Sequence, residues 1–129
     1  MAGTFKFELV SPERILISAE ASQVMVPGGD GDFTVLVGHA PVISTLRPGI
    51  MEAKLADGKS SRLYVYGGFC EVTPDSLTVL AETAQDVASM DANSISERIK
   101  HAEATLAHAV DDDARLVANA AIESLRSLI

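Results

Sequence analysis

The first 86 residues alternate short apolar runs with turn residues. Phe5, Phe7 and Leu9 alternate with charged positions, which is the period-two pattern of a strand with one buried face. Further apolar runs, rich in β-branched residues, follow at 15–17, 24–26, 33–37, 42–46, 51–55, 62–66, 69–72 and 77–80. About ten short strands in one segment predict an antiparallel β-sandwich, because sequential hairpins bury both apolar faces only between facing sheets.

Turn signals separate these runs at regular intervals. Asp57-Gly58 stands between two of them, and both turn positions accept a positive φ, so the pair is a strong hairpin signal. Pro74-Asp75 stands between the next two and is typical of a β-turn. The sequence therefore predicts a tight hairpin at each of these two places.

The hydrophobic period changes after residue 86. Apolar residues then recur at spacings of three and four, which predicts two amphipathic helices. The first stripe is Ile95, Ile99, Ala102, Leu106 and Ala109, and the second is Ala114, Val117, Ala121, Leu125 and Leu128. Asp91 is a good N-cap for the first helix, and Asp111–Asp113 interrupts the pattern and caps the second.

Composition changes at the same point. All nine glycines, all five prolines and all six aromatic residues lie before residue 75, whereas residues 87–129 contain none of them and ten alanines. We therefore predict an α+β chain with two domains, a β-sandwich over 1–86 and an antiparallel two-helix hairpin over 87–129. Because the helical stripes are narrow, the hairpin is expected to dock on the sandwich or on a partner.

Overall composition and charge exclude several classes of protein. Hydrophobic residues make up 47% and charged residues 22% of the chain, which excludes intrinsic disorder. Ten basic residues against eighteen acidic ones give a net charge of −8, which disfavours nucleic acid and anionic lipid as partners. Residues 1–9 lack the apolar centre of a signal peptide, and no uncharged run is long enough to span a bilayer.

No catalytic or metal site is predicted. Cys70 lies within an apolar strand, so it is better interpreted as a small core residue than as a nucleophile. His39 lies in a loop, and no neighbouring residue marks it as a catalytic partner. Glu97, His101 and His108 share a helix but spread over three turns, too far apart for one ion. The acidic pattern around Asp30 lacks the spacing of a complete calcium loop, and Asp111–Asp113 is interpreted as an inter-helix turn. We therefore expect no cofactor.

The segment 28–41 consists of two exposed loops that frame a short apolar strand, and its sequence is distinctive. Its Gly38-His39-Ala40-Pro41 loop is followed in order by Arg47-Pro48-Gly49, Gly67-Gly68-Phe69-Cys70-Glu71-Val72 and Leu77-Thr78-Val79-Leu80-Ala81-Glu82-Thr83-Ala84. Four motifs in this order resemble the epsilon subunit family of F-type ATP synthases, whose mitochondrial counterpart is called delta. The resemblance covers residues 4–91 almost continuously, and the helical hairpin matches in length and position.

The resemblance implies a function without chemistry of its own. Members are non-catalytic subunits of the rotating central stalk, where they link gamma to the c-ring and couple proton flow to ATP synthesis. It implies that one sheet face packs against gamma and that the loops face the c-ring. These loop residues are Asp30, Gly31, Asp32, Gly38, His39, Ala40 and Pro41. The expected location is peripheral, on the cytoplasmic face of the bacterial inner membrane, with membrane contact only through partner subunits.

Two departures from the family pattern concern loop detail and regulation. Thr34 stands where many members have glycine, and Val37 stands where many have proline or a small residue. Some bacterial members bind ATP through Asp-x-x-Arg-Ala at the start of the first helix, but here Ser94 replaces the arginine. Arg98 and Arg115 do not occupy that position, so nucleotide binding is not expected.

The hairpin charge argues for weak regulation. In inhibitory members the hairpin extends and contacts the catalytic alpha/beta head through basic side chains. Here residues 87–129 carry four basic and seven acidic side chains, a net charge of −3, so only transient contact and weak inhibition of hydrolysis are expected. The alternative function is a stand-alone jelly-roll-like binding module with a helical tail, which co-purification with a membrane ATPase would exclude.

Overall fold

The structure, a computed structural model, describes residues 3–129. Its strands are β1 (Phe5–Ser11), β2 (Arg14–Gly28), β3 (Gly31–Val35), β4 (Val42–Thr45), β5 (Gly49–Leu55), β6 (Ser60–Thr73) and β7 (Ser76–Asp86). A short 3-10 turn at Val87–Ser89 leads to helices α1 (Ala92–Ala107) and α2 (Asp112–Arg126). The predicted order of a β-rich part followed by two helices is confirmed. Met1 and Ala2, which the predicted first domain includes, lie outside the described residues.

Seven continuous strands form the two layers of a sandwich, of which the first contains β1 and β4 and the second contains β3 and β5. Strand β2 pairs with β1 through residues 14–21 and with β3 and β5 through residues 21–28. Strand β6 is shared between the layers in the same way, because it pairs with β5 near its start and with β4 near its end. Strand β7 is shared as well, because it pairs with β1 near its start and with the first residues of β6 near its end. Counted by layer, the seven strands therefore provide ten strand segments, which agrees with the expected number. One pair, β1 with β7, is parallel, and the other pairs of named strands are antiparallel.

Strand β6 changes the face that it presents at Gly67 and Gly68. Both glycines have positive φ values, 73° and 103°, and a Cβ on Gly68 would lie 1.9 Å from the carbonyl oxygen of Leu80. Only glycine fits this position. As a result Tyr64 and Tyr66 face the helices, whereas Phe69 lies on the outer face of the other layer.

The main core lies between the two layers. It contains Phe7, Leu9, Val24, Met51 and Val65, each with no exposed surface, together with residues from every other strand except β4. This pattern follows from the period of two, because inward positions of each strand are apolar and outward positions are mostly polar. None of the residues of this core belongs to the helices.

The helices begin where their caps predict. Asp91 Oδ1 accepts a hydrogen bond from the backbone N–H of Ser94 at 2.7 Å, and Asp111 Oδ1 accepts one from Ala114 at 2.7 Å. The hairpin packs on the outer face of the second layer, where Leu125 and Ile95 cover Tyr64.

The first three residues of the predicted α1 stripe, Ile95, Ile99 and Ala102, are buried, whereas Leu106 is only partly buried and Ala109 lies beyond the end of the helix. The predicted stripe of α2 is also partly wrong. Ala121 and Leu125 are buried as predicted, whereas Val117 is 40% exposed and Ala118 and Ile122 are buried in its place. Because α2 packs against both α1 and strands β5 and β6, its buried face is rotated toward the side where these two contacts meet. The spacing of apolar residues alone does not define that rotation.

No helix in residues 3–129 is long and apolar enough to cross a membrane.

Candidate functional site

The two loops that the sequence singled out lie side by side at one edge of the sandwich. Together they line an open depression of about 530 Å³. Its walls are formed by Asp30, Gly31, Asp32, Phe33, His39, Ala40, Pro41, Val42 and Ser44. Six of the seven predicted loop residues thus line one surface, and Gly38 directly precedes three of them. We call this surface the loop edge.

Two glycines give the loop edge its backbone shape. Gly31 has a φ of 137° and Gly38 a φ of 81°, values that L side chains rarely adopt. The N–H of Gly38 donates a hydrogen bond to the carbonyl of Pro74 at 2.7 Å, which attaches the β3–β4 loop to the β6–β7 turn. Several turns therefore meet at this edge, and backbone hydrogen bonds hold them together.

His39 is held in one orientation within the β3–β4 loop. Its Nδ1–H donates to the carbonyl of Ala40 at 2.7 Å, since a carbonyl oxygen only accepts. Its ring also lies 6.1 Å from the ring of Phe33, at an interplanar angle of 42°. In the neutral ring, this arrangement leaves Nε2 as an acceptor for a donor from another molecule.

Asp30 in the β2–β3 turn and Asp32 at the start of β3 differ in their partners. Asp32 forms an ion pair with Arg47, which follows β4. Asp30 is exposed and forms no ion pair or side-chain hydrogen bond within residues 3–129. Arg47 belongs to one of the sequence motifs, but its position in the chain does not predict that it lies at the site. The proximity of Arg47 to this turn depends on long-range strand pairing.

Cys70 and the helical histidines have other environments. Cys70 is fully buried in the sandwich core, and burial raises the pKa of its thiol, which suits a core residue and not a nucleophile. Glu97 and His101 line a cavity under the helices, which His108 does not reach. Within residues 3–129 no three His, Cys, Asp or Glu side chains are grouped closely enough to hold a metal ion.

The cavity under the helices measures about 420 Å³ and lies between Tyr64, Tyr66 and both helices. Burial raises the pKa of Tyr64 to about 12, and the nearby Arg98 lowers it in part. Arg98 Nη2 donates to Gln85 Oε1 at 2.7 Å, and its guanidinium lies 5.7 Å from the centre of the Tyr64 ring. Arg115 pairs with Asp112 at 2.5 Å. Both arginines are thus engaged in contacts within the chain.

Known proteins resemble the chain over its full length. The profile of the family described as ATP synthase, Delta/Epsilon chain, beta-sandwich domain matches residues 4–87. The chain is 45% identical over 128 residues to the ATP synthase epsilon chain of Brucella anthropi and 44% identical to that of Brucella canis. Each alignment covers 99% of this chain and 95% of the relative.

Solved structures share the fold. A chain of the Euglena gracilis mitochondrial ATP synthase, described as OSCP/F1/c-ring in rotational state 1, has a TM-score of 0.75 and 20% identity, covering 97% of this chain and 79% of that one. A chain of the Tetrahymena thermophila mitochondrial ATP synthase, described as central stalk/c-ring, has a TM-score of 0.70 and 12% identity, covering 98% and 96%. Together with the family profile and the full-length relatives, which confirm the resemblance drawn from the motifs, this places the chain in the ATP synthase delta/epsilon chain family.

Proposed function

We propose that the protein is the non-catalytic central-stalk subunit of a proton-translocating F-type ATP synthase, where it links gamma to the c-ring and couples proton flow to ATP synthesis. The observation that carries the proposal is the 45% identity to an ATP synthase epsilon chain over 99% of this chain. The same observation favours this function over a stand-alone binding module. The subunit is peripheral and reaches the cytoplasmic face of the bacterial inner membrane as part of the complex.

The loop edge is the proposed contact with the c-ring. It presents the free carboxylate of Asp30 and the Nε2 acceptor of His39 on one open surface, beside the exposed apolar side chain of Val42. Acceptors of this kind suit basic or amide donors on the polar loops of a partner. A contact that transmits torque needs a stiff support, which the closed sandwich core provides.

The outer face of the first layer is the proposed contact with gamma. Phe69 pairs with Leu80 across β6 and β7. Ile43 on β4 lies diagonal to Phe69 on the same face, because its direct partner is two residues further along β6. These three side chains are 45%, 39% and 70% exposed, and the helices cover the opposite layer. An exposed apolar strip on an otherwise acidic protein is typical of a protein interface.

The hairpin is proposed to regulate ATP hydrolysis only weakly. Its net charge of −3 disfavours insertion beside acidic groups of the alpha/beta head. In the structure the apolar stripes of α1 and α2 already pack on each other and on the sheet. Contact with the head is therefore proposed to be transient.

The test targets the loop edge by charge reversal. We expect Asp30→Lys combined with His39→Ala to leave the fold intact, because neither side chain belongs to the core, and to lower proton-driven ATP synthesis in membranes depleted of the native subunit. Glu13→Lys is the matched control, since Glu13 is exposed and follows the far end of β1. Normal coupling with the double variant, or an equal loss with Glu13→Lys, would refute the c-ring assignment.

A further inference from the structure

Arg47, in the segment between β4 and β5, makes three contacts with the residues that flank the β2–β3 turn, two at the end of β2 and one at the start of β3. Arg47 Nη1 donates to the carbonyl of Gly28 at 2.7 Å, and Nη2 forms the ion pair with Asp32 Oδ1. The backbone N–H of Arg47 also donates to the carbonyl of Pro27 at 3.0 Å. The guanidinium of Arg47 therefore joins the last residue of β2 to the second residue of β3, on the two sides of the turn.

The turn has few other attachments to the sandwich. Strand β3 is an edge strand that pairs only with β2. Beyond that pairing, the N–H of Gly29 donates to the carbonyl of Thr45 at 2.8 Å, and Gly28 forms an isolated bridge with Leu46. A glycine-rich turn on an edge strand loses much conformational freedom when it is ordered, so a side chain that fastens it has a large effect on its order.

The geometry of the contact requires arginine. A guanidinium is planar and directs two N–H groups at two acceptors at once, whereas a lysine ammonium is a single point of charge. Arg47 uses this fork to join a backbone carbonyl and a carboxylate that are four residues apart. The second oxygen of Asp32, Oδ2, has no hydrogen bond within residues 3–129 and stays available to a partner.

We propose that Arg47 is a positioning residue for the loop edge: it orders the β2–β3 turn so that Asp30 and Asp32 Oδ2 are correctly placed to contact the c-ring. This rests on the proposed function. Arg47 and Asp32 are both substantially exposed, so their ion pair contributes little to the stability of the fold. Its contribution is to the order of the turn, and hence to the affinity of the subunit for the ring.

The first measurement uses the free, full-length protein. We expect Arg47→Ala to increase amide hydrogen exchange of residues 29–33 about tenfold, with little change at other amides, because only local opening becomes easier. Arg47→Lys is expected to fall between the wild type and Arg47→Ala. Arg62→Ala is the matched control, since it removes the same charge from an exposed position on β6 and should leave exchange at 29–33 unchanged.

The second measurement uses membranes that lack the native subunit. As Arg47→Ala is titrated in, we expect the concentration that restores half of ATP synthesis to rise about tenfold, while the rate at saturation stays that of the wild type. A merely structural role would instead lower the thermal midpoint of the free protein, and the rate at saturation with it. Should Arg47→Ala not fold, Arg47→Lys provides the same comparison with the charge retained.

The outcomes separate this proposal from the function on which it rests. If the Asp30→Lys, His39→Ala variant loses coupling while Arg47→Ala shows wild-type exchange at 29–33 and wild-type titration, the positioning role is wrong and the c-ring contact stands. If exchange at 29–33 rises but coupling is normal in both variants, Arg47 orders the turn without serving the ring, and both the positioning role and the c-ring assignment fail. Faster exchange together with a higher half-restoring concentration supports the proposal.

Discussion

The β-sandwich and the helical hairpin bury their apolar residues in different ways. The sandwich core joins 17 residues, including Phe5, Phe7 and Leu9, nearly all of them with 3% exposure or less. The buried residues of the hairpin are fewer, and three of the seven are the alanines Ala102, Ala118 and Ala121. Since buried area sets most of the stabilisation, the sandwich is expected to be stable alone and the hairpin to depend on the surface below it.

The largest expected effect comes from the sandwich core. Phe7→Ala should lower the free energy of unfolding by about 4 kcal/mol, because it removes a fully buried ring from close packing. Leu125→Ala removes a side chain buried to the same degree in the hairpin. Leu125→Ala should detach the helices from the sandwich and leave the urea midpoint of the sandwich almost unchanged. An equal fall in that midpoint for both variants would show that the two regions unfold as one unit.

Truncation separates the regions directly. A chain that ends at Asp86 should retain its strands and its binding to gamma, and should lose about 2 kcal/mol of stability through exposure of Tyr64 and its neighbours. Urea unfolding followed by circular dichroism measures this cost. Because the hairpin is proposed to inhibit weakly, ATP hydrolysis by the catalytic head should change little when the truncated chain replaces the full one. Aggregation of the truncated chain would show that the boundary near residue 86, which stays a prediction, is misplaced.

A smaller effect appears at high pH, where Tyr64 reports the contact between the regions. Burial raises its pKa from 10.0 to about 12, so the neutral phenol is favoured while the helices cover it. Stability from this contact is therefore complete below pH 10 and is lost as the pH rises through 12. Ultraviolet titration should detect the delayed ionisation of Tyr64 in the full chain, and Tyr64→Phe should remove that step. In the chain ending at Asp86, Tyr64 should titrate closer to 10, and a delayed step there would show that the sandwich alone buries it.

Local pattern was sufficient for most of the elements, whereas the grouping of the loop residues was implied by the resemblance to the family. The period of two along β1, the turns at Asp57-Gly58 and Pro74-Asp75, and the caps Asp91 and Asp111 all lie where the sequence predicted them. Each depends on interactions between residues close in the chain, such as a side chain and a backbone N–H three residues later.

Long-range packing decided the rest, because its partners are distant in the chain. Arg47 meets Gly28 and Asp32 only after β2 and β5 have paired. The buried face of α2 includes Ala118 and Ile122 because this helix packs on both α1 and the sheet. The sequence by itself therefore determined which elements form and the family to which they belong. The tertiary structure decided which faces are covered and which side chain supports the loop edge, since those contacts arise only when residues far apart in sequence are brought together by the fold.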